Sequence, residues 1–149
     1  MGVFPDFMVS LARFVLGGVF LWSGGVKLKD IRGFVLIAST YTVVPEFLSR
    51  PARLVSYLIP FTELLAGGLV IIWDMQLYAL YFIAASLLGY MTLQICELLK
   101  NGNVDNCGCY GTAIEVELSW KQVLKNAVLL GLALYLLAYE NGLVFLYPF

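Results

Sequence analysis

An all-α integral membrane bundle of four helices is the architecture this sequence predicts, with a short interfacial or re-entrant helix after the first span. Composition carries the first half of that reading: 61% of the 149 residues are hydrophobic and 13% are charged, which excludes an ordinary soluble domain. The spacing of the apolar runs carries the second. Crossing hydrocarbon as a helix takes about 20 predominantly apolar residues, and stretches near 7–26, 54–73, 77–96 and 120–139 meet that requirement. The alternation suited to a membrane β-barrel is missing. No repeat or long linker appears, so residues 1–149 read as a single membrane domain. A formal net charge of −1 offers no basic face for nucleic acid. The partner that composition demands is the lipid bilayer.

The first apolar run has nothing basic before it, so it reads as a retained span rather than a cleaved signal peptide. Within it, Arg13, Gly17, Phe20, Gly24 and Lys27 recur at intervals of three and four and therefore share one helical stripe. Glycine lets helix backbones approach in lipid, so this stripe is expected to face the other helices. An arginine inside a span either snorkels to the headgroups or meets a partner. Residues 24–32 leave the membrane through Lys27, Lys29, Asp30 and Arg32, and the apolar run 34–44 that follows is too short to cross. Tyr41 suits an interface and Pro45 a helix stop.

The second span carries Pro60 and, within one turn, Glu63. Proline removes a backbone donor, so a kink is expected there. A carboxyl near mid-span is a functional candidate whose partner has to be named. Arg13 or Lys27 is that partner, unless Glu63 is a protonated acid bonded to a carbonyl. The short connection near Asp74 makes the second and third spans antiparallel neighbours. The third span ends at Cys96 and Glu97; Cys96 is most simply a small apolar core residue, but its position also suits a thiol relay. Ser119 is placed to cap the last helix, in which Asn126 is expected to bond between helices. The aromatic tail 141–149 is expected to lie on the membrane.

Between the third and fourth spans, residues 98–119 form the longest plainly polar segment, centred on Cys107-Gly108-Cys109-Tyr110-Gly111. Thiols at i and i+2 reach disulfide distance only in a tightly folded backbone, which Gly108 permits. Strained, exposed disulfides are the more oxidising ones, so the pair points towards redox exchange. Two reduced thiols at a turn, or a zinc site shared by Cys107 and Cys109 of two chains, are the competing readings; closed zinc sites need four ligands, and this chain has no histidine. Lys100, Lys121 and Lys125 either lower a nearby thiol's pKa or are solvated.

The ordered set Ser23-Gly24-Gly25-x-Lys27, Tyr41-x-x-x-Pro45, Pro60-x-x-Glu63-x-x-x-Gly67 and Cys107-Gly108-Cys109-Tyr110-Gly111 resembles the MauE methylamine-utilisation family, within the DoxX-like four-span membrane proteins. The likeness covers most of the chain. Tyr110 stands where that family's usual motif has phenylalanine. The resemblance implies a multi-pass protein of the prokaryotic cytoplasmic (inner) membrane, associated with disulfide formation in exported proteins. Its implied partner is a thioredoxin-like or cysteine-containing exported protein. A broader likeness to vitamin K epoxide reductase-like bundles suggests a quinone as electron acceptor.

The resulting expectation is a thiol-disulfide redox protein in which Cys107 and Cys109 are the catalytic pair. Arg13, Lys27 and Glu63 would bind the substrate or cofactor, with Cys96 as thiol relay and no resident metal. A non-enzymatic assembly factor and a small transporter with a structural cysteine turn are the alternatives. Basic residues near the span ends favour a cytoplasmic cysteine loop, whereas oxidation of exported proteins requires the outer face. The outer face is the reading adopted, because lysines buried in the bundle do not count as loop charges.

Overall fold

The computed structural model of the protein describes residues 3–39, 41–42, 49–72, 76–102 and 117–142. Five helices fall within them: α1 (Val3–Lys29), α2 (Ile31–Ser39), α3 (Ser49–Ile71), α4 (Gln76–Asn101) and α5 (Trp120–Glu140). All but α2 are long and apolar enough to cross a membrane. The nine residues of α2 extend only about 14 Å, so the expected short helix after the first span is present. The expected tail lies outside the described residues from 143 onward.

Helices α1 and α4 run past the predicted spans at their C-terminal ends, to Lys29 and Asn101, and α3 begins earlier than predicted, at Ser49. Helix α3 starts at Ser49 with Pro51 in its first turn, where the missing N–H breaks no intrahelical bond. Helix α4 continues past Cys96 because Glu97 and Leu98 are themselves buried. Ser119 stands at the expected cap of α5, but its side chain makes no capping bond; its main-chain oxygen accepts from Gln122 N at 2.9 Å instead.

Helices α1, α3, α4 and α5 pack in a ring in which each touches its neighbours, with α2 laid against α1 and α3. Chain direction alternates around this ring. The C-terminal ends of α1 and α4 therefore share one end of the bundle with the N-terminal ends of α3 and α5. Leu16, Val70, Leu80, Ile83 and Leu136 fill the centre, while Phe14, Trp22, Leu54, Leu65, Tyr78 and Val128 point outward, as a bundle solvated by lipid requires.

The glycine stripe sets the closest helix pair. A β-carbon added to Gly17 would lie 2.8 Å from the carbonyl oxygen of Gly67, and one added to Gly24 would lie 2.8 Å from that of Pro60. Helix α1 thus rests backbone to backbone on α3. Arg13, Gly17, Phe20, Gly24 and Lys27 are all buried, as their spacing predicts. Gly18, outside the stripe, has open space at its β-carbon position.

Candidate functional site

Close packing of α1 on α3 brings Lys27, one residue in the stripe, against Glu63, one helical turn beyond Pro60. Lys27 Nζ donates to Glu63 Oε1 at 2.6 Å, and both side chains are 3% exposed. Tyr90 on α4 donates its hydroxyl to the same oxygen at 2.7 Å, and Ser23 Oγ donates to Glu63 Oε2 at 3.2 Å. The ammonium also lies 5.3 Å from the ring centroids of Phe34 and Tyr90, within cation–π range. A carboxylate inside a bundle thus meets a cation and two hydroxyl donors, the satisfaction that an intramembrane charge requires.

This cluster forms part of the wall of a cavity of about 230 Å³ that reaches all four long helices and α2. Most of the lining is apolar, with Ile59, Leu93 and Leu129 among it, and the polar groups are few and convergent, the usual make-up of a small-molecule site. Besides Lys27, Glu63, Ser23 and Tyr90, the cavity meets Gln94, Gln122 and Asn126. Asn126 Nδ2 donates to Gln94 Oε1 at 2.9 Å, joining α5 to α4 and meeting the expectation of an interhelical bond at Asn126. Gln94, Gln122 and Asn126 sit on the α4 and α5 ends that flank the cysteine segment.

Arg13 does not join this group. It pairs with Glu140, at the end of α5, and Glu140 Oε2 also accepts from Gln76 Nε2 at 2.8 Å. The two cations of the stripe therefore serve opposite ends of the bundle, and of the two partners considered for Glu63 it is Lys27 that makes the contact. Nothing local in the sequence pairs Arg13 with Glu140, which lies 127 positions away.

A second buried carboxylate, Glu97, holds the chain beyond α2. Thr42 N donates to Glu97 Oε2 at 3.1 Å and Asn101 Nδ2 to Glu97 Oε1 at 2.6 Å, while Lys100 Nζ donates to the Thr42 carbonyl at 2.9 Å. Sequence reasoning used Glu97 only to mark the end of a span; its place one turn before a polar Lys-Asn-Gly exit is the signal that it caps something.

Cys107 and Cys109 lie outside the described residues. Cys96 is a free thiol on the exposed side of α4, not the core residue expected, because the buried face of the helix here runs through Gln94, Glu97 and Leu98. Lys121 and Lys125 are exposed on α5. Among the described residues no three Cys, Asp or Glu side chains form a group able to hold a metal.

The family model described as "Methylamine utilisation protein MauE" matches residues 5–139. Among curated proteins, the methylamine utilization protein MauE of Paracoccus denitrificans is 27% identical over 122 residues, covering 82% of this chain and 64% of that one. The chain thus spans just under two thirds of that relative's length. No solved structure matches.

Proposed function

The chain belongs to the MauE family, and from that premise we propose that it is a membrane thiol-disulfide redox protein supporting disulfide formation or maturation of exported proteins in methylamine utilisation. Cys107 and Cys109 cycle between disulfide and dithiol. A thiolate of the client, a thioredoxin-like or cysteine-containing exported protein, attacks one sulfur of the Cys107–Cys109 bridge and displaces the other as thiolate. The client's second thiol then resolves the mixed disulfide. The client leaves oxidised and the pair is left as two thiols. Re-forming the bridge releases two electrons and two protons, which a lipid-soluble quinone takes up to become the hydroquinone.

The observation that carries this reading is the cavity at the bundle end where α4 finishes and α5 begins. The Cys107–Cys109 segment is tethered between Asn101 and Trp120, and Gln94, Gln122 and Asn126, on those two helices, line the cavity. Lys27, Glu63 and Tyr90 supply its charged and hydroxyl groups, whereas Arg13, paired at the far end, takes a structural part. Cys96, exposed near the end of α4, is the reserve thiol of a relay.

Free-thiol labelling before and after reduction, with titration of the potential in proteoliposomes, tests the proposal. The expected result is a Cys107–Cys109 bridge that forms reversibly, oxidises a dithiol client, and is lost in the Cys107→Ser, Cys109→Ser protein. A pair that never bridges between pH 6 and 8 ends the redox reading. A non-enzymatic assembly factor is the second reading, favoured by the way Lys27, Tyr90 and Ser23 satisfy the Glu63 carboxylate within the bundle. Under it, the double-serine protein still supports maturation of the client.

A further inference from the structure

The polar side of the cavity is only half satisfied by the bundle itself. Gln122 is 3% exposed and lines the cavity, yet its Oε1 has no hydrogen-bond partner among the described residues. A buried carbonyl oxygen left unpaired is costly and calls for a donor. Lys27 has three N–H donors and gives one to an oxygen, that of Glu63; its remaining hydrogen-bonding capacity faces aromatic rings at 5.3 Å. The residues lining the cavity therefore include one unused acceptor and one under-used donor beside an apolar wall. Its charge sums to zero, since Lys27 and Glu63 neutralise each other, so a charged head would enter without a counter-charge.

We propose that this cavity binds an uncharged amphiphile whose head offers an O–H to Gln122 Oε1 and an acceptor oxygen to Lys27 Nζ, with its hydrocarbon body against Val19, Ile59 and Leu129. Water alone fits poorly. One molecule occupies about 30 Å³, and the apolar wall offers few partners to the several that a cavity of about 230 Å³ would hold. Hydroquinones and long-chain alcohols share the required chemistry. A quinone has acceptor oxygens but no O–H, so it cannot satisfy Gln122, and the reduced form binds more tightly than the oxidised form. The inference rests on Gln122 and Lys27 and stands whether or not the thiols turn over; under the redox reading, the hydroquinone is the product form.

The test is saturable binding to the full chain in phosphatidylcholine nanodiscs under anaerobic conditions, with empty nanodiscs subtracting lipid partition. Decylbenzohydroquinone, decylbenzoquinone, decanol and decanoate are the probes. They are read on the unaltered protein and on the Cys107→Ser, Cys109→Ser protein, so that failure of the thiol reading leaves the binding result intact. The hydroquinone is expected to bind at least tenfold more tightly than the quinone, and Gln122→Leu to bring the two within threefold by weakening the hydroquinone alone. Decanol binding with the same dependence on Gln122 assigns the site to hydroxyl amphiphiles in general; hydroquinone binding without it assigns the site to the aromatic diol. Ile59→Trp, which narrows the cavity from its apolar wall, should weaken all of this binding together and covers the case in which Gln122→Leu does not fold. Equal affinity for quinone and hydroquinone, indifference to both substitutions, displacement by decanoate, or no saturable binding overturns the proposal.

Discussion

Lys27 on α1 and Glu63 on α3 meet at 2.6 Å inside the bundle, and Tyr90 on α4 donates to the same carboxylate oxygen. One acidic side chain therefore ties three helices together. The contact is possible because glycine at position 24 lets α1 settle onto the Pro60 carbonyl, one helical turn from Glu63. Close backbone approach, ion pair and cavity wall are consecutive consequences of a single packing register.

Breaking that pair from one side is expected to cost more than removing both partners. Lys27→Met leaves a buried carboxylate without its cation and should destabilise by about 3–5 kcal/mol, whereas Lys27→Met with Glu63→Gln should cost clearly less than the two single changes summed. Reversible unfolding in mixed micelles measures all three variants. Strict additivity would mean that the two side chains do not interact energetically.

The four spans were legible from composition and length because lipid imposes both at once: each backbone polar group is satisfied within its own helix, and each helix has to cover the same thickness. The stripe on α1 was legible because its period places Arg13, Gly17, Phe20, Gly24 and Lys27 on one face. What the stripe meets was not. Lys27 was one of two candidates for Glu63, and nothing in the spacing identifies Glu140 as the partner of Arg13, because that pairing follows from helix direction and ring order. Glu97 and Gln122 escaped for a related reason: a polar residue near a helix end looks solvated until the neighbouring chain is seen to cover it. Cys107 and Cys109, the strongest local signal in the chain, lie outside the described residues.

Glycine substitutions should separate two classes of position on one helix. Gly24→Ala drives a β-carbon to 2.8 Å from the Pro60 carbonyl oxygen, whereas Gly18→Ala enters open space. The first is expected to destabilise by about 1–3 kcal/mol, the range of overpacking. The second should be neutral or slightly stabilising, because alanine is the better helix former. Thermal unfolding in the same lipid compares them, and equal losses would mean that α1 and α3 are farther apart than described.

The Glu97 clasp should control the chain after α2 without affecting the Lys27–Glu63 pair. Glu97→Ala leaves Thr42 N and Asn101 Nδ2 without their carboxylate acceptor, at an expected cost of about 1–3 kcal/mol. Hydrogen exchange is the direct readout: the amide of Thr42 should lose protection while those around Glu63 keep theirs. Retained protection at Thr42 would assign the hold on this segment to other contacts.

The side of the membrane on which the cysteine segment works is the sharpest test of the exported-protein role. Chain direction puts the exit of α4 and the entry of α5 at the same bundle end as the exit of α1, so the chain leaves α4 and returns to α5 on the side of Lys29, Arg32, Arg50 and Arg53. Lys27, buried against Glu63, drops out of the loop charge; the other four remain exposed and by themselves favour the cytoplasm. Disulfide exchange with exported proteins needs the opposite face, because cytoplasmic thiols are kept reduced. With Cys96 replaced by serine, a membrane-impermeant maleimide is expected to label reduced Cys107 and Cys109 in intact spheroplasts as fully as after permeabilisation. Labelling that appears only on permeabilisation would place the pair in the cytoplasm and leave it to act on cytoplasmic thiols instead.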